Sequence, residues 1–169
     1  MYLILKKFLD ICLFRAAPQD LPYSTFLLLL SLGGYFIVGI ILSLFEWTLL
    51  KSIAIVLMDL VLLAGLSYLI LWIRLSTDRY VQTLTALAGS GIILELAGLP
   101  VYALKYVVDS GAIVVAAIFW IWVFWNLAVF GHVMRYALST TMWTGAMMSL
   151  LYFFISFSMF NTFFLSTMN

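Results

Sequence analysis

Two carboxylates lie inside long apolar stretches, where an ionisable group is energetically expensive. Asp59 lies within the apolar run 52–73, and Glu95 lies within the run 80–104. Placing such a group in hydrocarbon costs about 3 kcal/mol or more, so it is by default a hypothesis of a functional site. Loss of hydration favours the neutral form of at least one carboxyl. Two roles are open: handling of protons or of a ligand, or hydrogen bonding that joins helices.

Small residues accompany Glu95 at helical spacing. Gly91 and Gly98 lie four residues before it and three residues after it, so all three share one face of a helix. Small side chains on that face would let a neighbouring helix approach closely. A second ladder, with an interval of four residues, occurs near the C-terminus: Thr141, Gly145 and Ser149. It predicts another close contact between helices.

Four polar side chains lie near two of the short connections between apolar runs: Arg74, Arg79, His132 and Arg135. They could converge at one face of the protein and contact lipid headgroups or a partner protein. The alternative is that they only mark the cytoplasmic side, where Lys and Arg accumulate in membrane proteins.

The sequence lacks the motifs of several classes of enzyme and cofactor protein. Its single histidine cannot supply the histidine pair of a membrane haem or a His-rich metal site. There is no H-E-x-x-H, no G-x-S-x-G and no phosphate-binding glycine loop. A net charge of +1 gives no case for nucleic acid as a partner. We therefore predict no catalytic activity, no metal and no cofactor.

The distribution of charge predicts the elements that position these residues. Only 9% of the 169 residues are charged, 66% are hydrophobic, and residues 136–169 contain no Asp, Glu, Lys or Arg. A helix rises about 1.5 Å per residue, so about 20 apolar residues cross a hydrocarbon core about 30 Å thick. The chain is therefore predicted to be an all-α, polytopic integral membrane protein.

The apolar runs predict five membrane spans: 24–45, 52–73, 80–104, 112–130 and 137–160. Before them, residues 3–16 have the pattern of an amphipathic helix that lies in the membrane interface. Pro18 and Pro22 then prevent the helix from continuing. We divide the chain into an entry segment, 1–22, and a single five-helix transmembrane bundle, 23–169.

The positive charges predict the orientation of the bundle. With five spans, one side carries six basic residues: Lys6, Lys7, Arg15, Arg74, Arg79 and Arg135. The other side has Lys51 and Lys105, either of which could reach toward the carboxylates. The N-terminus is therefore predicted to be cytoplasmic and the C-terminus outside. In this orientation Asp59 and Glu95 lie at similar depth below the outer surface.

Several short motifs resemble those of the bacterial Yip1-like membrane proteins. The third span begins with Gln82-Thr83-Leu84 and closes with Leu99-Pro100, and a Trp-containing fourth span runs into Gly131-His132. The stretch 135–138 also looks similar, and the stretch 17–22 resembles that of small inner-membrane proteins of proteobacteria. The resemblance implies a five-span protein of the bacterial inner membrane that is not an enzyme, and it transfers no site residues.

Two functions remain open. The first is a small, non-enzymatic membrane scaffold or accessory subunit, which binds other integral membrane proteins, or itself, through helix faces exposed to the lipid bilayer. The second is a proton-coupled transporter or channel component that uses Asp59 and Glu95. Geometry distinguishes them, because transport requires both carboxyls to face a shared, hydrated cavity.

Overall fold

The structure is a computed structural model that describes residues 2–107 and 113–162, with side chains from residue 3 to residue 104 and from residue 113 to residue 162. Within these ranges the chain is helical and has no strand. The helices are α1 (Tyr2–Cys12), α2 (Thr25–Ser43), α3 (Leu49–Ile73), α4 (Tyr80–Val107), α5 (Ile113–Ala137) and α6 (Met142–Phe160). Five of them, α2 to α6, are long and apolar enough to cross a membrane, which confirms the predicted fold class.

Two predicted boundaries are wrong around the last connection. The fourth span was predicted to end at residue 130, but α5 continues to Ala137, and the fifth helix begins at Met142 instead of residue 137. The polar residues of 131–136 suggested a loop. They occupy the last two turns of α5, where Val133 and Met134 on the same turns are fully buried in the core.

Three helices end in the same sharp turn without a glycine. Phe14, Leu75 and Ser139 adopt positive φ angles of 61°, 54° and 51°. In each turn the next amide donates to the carbonyl five residues earlier, at 2.7, 2.9 and 2.9 Å. This is the Schellman arrangement, in which glycine is the usual residue at the left-handed position. The first of these turns stops α1 at Cys12, four residues before the predicted end of the helix.

The central helix of the bundle is α4, which contacts α1, α2, α3 and α5, while α6 packs on α5 and α3. The most extensive packing joins α2 and α4, which are not consecutive in the chain. Glycines permit this contact: a Cβ on Gly34 would lie 2.7 Å from the side chain of Ile92, and one on Gly91 would lie 2.6 Å from the ring of Tyr35.

Helix α1 packs directly on the bundle. Phe8, Ile11 and Cys12 are buried, and the Phe8 ring occupies the space that a side chain on Gly89 of α4 would need. Leu5 and Leu9 lie at the edge of this buried face and are about half exposed. The apolar face of the helix is thus covered by protein only in part. Its location in the membrane interface stays a prediction.

Side chains of the bundle also hold the backbone of the entry segment. Trp125 Nε1 donates to the Cys12 carbonyl at 3.0 Å, and Gln82 Nε2 donates to the Leu21 carbonyl at 2.7 Å. In return, Gln19 Nε2 donates to the Tyr136 carbonyl at 2.8 Å. The entry segment therefore lies where α4 begins and α5 ends. We call this the entry end of the bundle, and the other end, where α2 and α6 finish, the distal end.

Candidate functional site

Both intramembrane carboxylates line one cavity of about 420 Å³ inside the bundle. All five spanning helices contribute polar groups to it: Tyr35 from α2, Asp59 from α3, Glu95 from α4, Asn126 from α5, and Tyr152 and Ser156 from α6. The sequence predicted that the two acids lie at similar depth. The structure brings them to a common space, which is one of the two conditions that a transport role requires.

Asp59 is held by hydroxyl groups from two other helices. Tyr35 donates to Oδ2 at 2.6 Å, and Tyr152 donates to Oδ1 at 2.5 Å. Ser156 also donates to Oδ1, at 3.4 Å. An ionised carboxylate only accepts hydrogen bonds, and donors on both oxygens stabilise its charge. The arrangement ties α2, α3 and α6 together and fixes the Asp59 side chain.

Glu95 has a different environment. Its Oε2 atom is buried and has no hydrogen-bond partner among the described residues. Its Oε1 atom lies beside Gly39 of α2, where an added Cβ would come within 3.4 Å. A buried polar atom without a partner costs about 1–3 kcal/mol, and more when it is charged. Glu95 thus offers an unfilled acceptor, or a proton to donate, to whatever enters the cavity.

The remaining walls of the cavity are apolar and rich in aromatic rings, including Trp122, Phe130, Phe153, Phe157 and Phe160. Among the described residues that line it, none is Lys, Arg or His. Lys51, a predicted partner of the carboxylates, is instead exposed and lies 5.3 Å from the Trp47 ring centroid. Lys105 lies outside the described side chains. The described residues of the lining therefore supply no positively charged side chain that could neutralise the two carboxylates.

The cavity extends toward the distal end of the bundle. Its lining includes Leu42 and Phe160, which lie in the last turns of α2 and α6. Toward the entry end it is bounded by Leu63 and by the rings of Phe130 and Tyr152, which stack with centroids 4.7 Å apart. In this conformation the carboxyls are therefore separated from the entry end by packed apolar side chains.

The two predicted packing glycines of α4 each accept an aromatic ring that lines the cavity. Gly91 accepts Tyr35 of α2, and a Cβ on Gly98 would lie 2.7 Å from the indole of Trp122 of α5. Trp122 Nε1 also donates to the Leu94 carbonyl at 2.8 Å. These glycines allow neighbouring helices to place aromatic side chains beside Glu95.

The second predicted ladder is only partly a helix contact. Gly145 packs so closely on Gly131 of α5 that an added Cβ would overlap the Gly131 carbonyl, and Ser149 is 3% exposed. Thr141, however, is exposed and precedes α6 as its N-cap residue. Its assignment as a packing residue is wrong, because the connection between α5 and α6 lies later in the chain than predicted.

Three of the four polar residues at the entry end bond within the protein. Arg79 donates to the Ser139 hydroxyl at 2.6 Å, His132 Nε2 lies 3.0 Å from the Ala16 carbonyl, and Arg135 donates to the Tyr136 hydroxyl at 2.9 Å. Arg74 is exposed at the end of α3. These contacts hold helix ends and the entry segment. Binding of headgroups or of a partner stays a prediction.

The hydroxyl partners of Asp59 were not predicted from the sequence. Tyr35 and Tyr152 each lie eight residues before the end of their helix, and Asp59 lies ten residues after the start of α3. At about 1.5 Å per residue, all three lie about 12–15 Å from the distal end. Comparing the depths of hydroxyl-bearing residues with that of Asp59 would have found them.

The described residues contain no group of three His, Cys, Asp or Glu side chains that could hold a metal ion. Comparison of the chain with family models, curated proteins and solved structures gives no match. The Yip1-like resemblance therefore stays a hypothesis, and the geometry of the cavity is the basis for a functional proposal.

Proposed function

We propose that this integral membrane protein is a transport component that takes up and releases protons at Glu95. The observation that supports this proposal is the buried Oε2 atom of Glu95, which has no hydrogen-bond partner among the described residues and lies in a cavity shared with Asp59. A carboxyl in such a place is stable when protonated, and it can lose the proton when a compensating positive charge arrives. The same carboxyl can therefore alternate between two states.

The two acids have separate roles in this proposal. Asp59 accepts hydrogen bonds from Tyr35 and Tyr152, which satisfy both of its oxygens, and it acts as a fixed acceptor. Glu95 has no such partner on Oε2 within the described part of the chain, and it is the group that changes its protonation. Transport to the entry end would require the stacked rings of Phe130 and Tyr152 to separate. Because Tyr152 also bonds Asp59, that movement would be linked to the site.

The scaffold or accessory-subunit function gains no specific support. Its basis is the apolar surface of the helices, and such a surface faces lipid in any polytopic membrane protein. Binding of other membrane proteins, self-association, location in the bacterial inner membrane and membership of the Yip1-like proteins all stay predictions. The cavity, by contrast, is a feature that a purely structural bundle does not need.

Infrared spectroscopy of the purified protein tests the assignment of the proton to Glu95. We expect a carboxyl C=O band that disappears as the pH is raised, and we expect Glu95→Gln to lack it because an amide does not titrate. Asp78→Asn is the matched control, since it removes an exposed carboxylate in the connection between α3 and α4. That variant should keep the band.

Reconstituted vesicles with an internal pH-sensitive dye test transport itself. Under an imposed pH gradient and a potassium diffusion potential, Glu95→Gln should reduce proton entry at least tenfold relative to wild type and to Asp78→Asn. Circular dichroism and gel filtration would establish that the variant is folded. A titrating band and a proton flux that are both unchanged in Glu95→Gln would refute the proposal.

A further inference from the structure

We infer that the cavity binds an organic cation with one positive charge and an apolar body, an inference that deepens the proposed function and rests on it. The lining of the cavity combines two carboxyls, hydroxyl and amide groups and aromatic rings, and its described residues include no basic side chain. Charge and ligand chemistry exclude other classes of occupant, and the volume of the cavity fits a small organic ligand.

Charge excludes an anion. A negatively charged ligand would meet Asp59 and Glu95, and none of the described lining residues is a cation that could balance its charge. At short range and in a low dielectric, like charges repel strongly. A cation, in contrast, supplies a partner for the Oε2 atom of Glu95, which has none among the residues that the structure describes.

The chemistry of the lining argues against a small inorganic cation. A metal ion such as Ca²⁺ needs about six to eight oxygen ligands. Both Asp59 oxygens already accept bonds from tyrosine hydroxyls, and most of the remaining wall is carbon. Aromatic faces such as those of Trp122 and Tyr152 attract weakly hydrated organic cations, and the surrounding apolar side chains suit a hydrocarbon body.

The size of the cavity also fits this class. Sites for small organic ligands typically measure about 300–1,000 Å³ and combine apolar walls with a few polar groups. At about 420 Å³, this cavity lies in the lower part of that range. Aromatic rings of α5 and α6 line the same cavity as Glu95. A ligand whose charge is held at Glu95 would therefore have its apolar body among these rings.

The cation should compete with a proton for Glu95. The titratable groups that face it in the cavity are Asp59 of α3, Tyr35 of α2 and Tyr152 of α6, while α5 supplies Trp122 and Asn126, which do not titrate. When the cation binds, the Glu95 O–H bond breaks, the proton leaves to solvent, and the carboxylate pairs with the ligand. Charge is thereby conserved, and affinity should rise with pH.

Calorimetric titration of the full chain in nonionic detergent tests this inference with tetraphenylphosphonium as the probe. Tetraphenylborate has the same shape and the opposite charge, and empty micelles correct for partition of either ion. We expect saturable binding of the phosphonium only, and release of a proton, measured from the heats in buffers of different ionisation enthalpy. Glu95→Gln should weaken binding at least tenfold, and Asp78→Asn should leave it unchanged.

A second variant addresses the cavity without removing a carboxyl. Ser156→Leu adds volume to the lining and should also weaken binding of the phosphonium, even if Glu95→Gln folds poorly. Absence of saturable binding, equal binding of tetraphenylborate, or unchanged binding in both variants would overturn the inference. If the phosphonium does not bind but the Glu95 infrared band titrates, only the ligand class is wrong. Phosphonium binding without that band would refute proton handling and retain the cation site.

Discussion

At the scale of single residues, two acids of similar depth have opposite environments. Asp59 has hydrogen-bond donors on both oxygens, and Glu95 has a buried oxygen without a partner among the described residues. The difference arises from which neighbouring helices present hydroxyl groups. A satisfied carboxylate is part of the framework, whereas a buried oxygen without a partner is energetically costly, and the proposed exchange of protons and ligands rests on that difference.

The tyrosine hydroxyls should contribute measurably to stability. Tyr35→Phe and Tyr152→Phe each remove one hydrogen bond to Asp59, and hydrogen bonds between membrane helices contribute about 1 kcal/mol. We expect each variant to lower the free energy of unfolding by about that amount in mixed-micelle denaturation with dodecyl sulfate. Tyr23→Phe, at a side chain that is 65% exposed, should change nothing. Equal stability of all three variants would show that these bonds are energetically unimportant.

The single cysteine should be unreactive while the protein is folded. Burial raises the pKa of the Cys12 thiol from 9.0 to about 12, and its Sγ lies 3.6 Å from the Ser90 carbonyl. Because the thiolate is the nucleophile, alkylation by maleimide near pH 8 should be about 1,000-fold slower than in denatured protein. Leu13→Cys in a Cys12→Ser background is the control, since Leu13 is 49% exposed. Fast labelling of native Cys12 would indicate that α1 detaches from α4.

At the scale of helices, glycine positions decide which pairs approach closely. Gly145 meets the backbone of Gly131, so the contact between α5 and α6 has no flexible side chain that could yield. The glycines of α4 instead accept the ends of flexible or aromatic side chains. The same residue type therefore has different tolerance in the two places.

Alanine substitutions should distinguish a closely packed glycine from an open one by the sign of their effect on stability. Gly145→Ala should destabilise the bundle by about 1–3 kcal/mol, because the added methyl group overlaps the Gly131 carbonyl. Gly65→Ala in α3 has nothing within 4 Å of the new Cβ, and it should be neutral or stabilising by up to about 1 kcal/mol. Mixed-micelle denaturation measures both. Equal effects of the two substitutions would contradict the close contact of α5 with α6.

At the scale of the whole molecule, the connections collect on two ends of the bundle. The entry segment, the turn after α3 and the turn after α5 share the entry end, as the bond from Arg79 to Ser139 and the bond from Gln19 to Tyr136 indicate. Five of the eight Lys and Arg residues lie in these regions, and a sixth, Arg135, lies in the last turn of α5 beside them. The distribution of charge and the packing of the helices thus agree on which segments lie together.

This agreement leads to a prediction of topology. Since Lys and Arg favour the cytoplasmic side, the entry end should be cytoplasmic and the distal end outside. Reporter fusions after residue 169 and within 74–79 measure the two sides. We expect activity of a periplasmic reporter at the first position and of a cytoplasmic reporter at the second. The reverse pattern would place the cavity toward the cytoplasm and change the direction of the proposed proton entry.

The sequence by itself determined the all-α membrane fold, the number of spans and the depth of the two acids. These depend on hydropathy and on the constant rise of a helix, which are local properties. The ends of α1 and α5 were less predictable. Phe14 and Ser139 occupy the left-handed position of the turn, where a glycine would usually indicate the end of a helix.

Only the tertiary structure decided which side chains meet. Packing of α2 on α4, two helices apart in the chain, brings Tyr35 beside Gly91, while α6 supplies Tyr152 to the other oxygen of Asp59. These pairings depend on how each helix is rotated about its axis. A helix that is apolar on all sides carries little amphipathic signal of that rotation. The cavity, and the contrast between Asp59 and Glu95 within it, follow from that rotation.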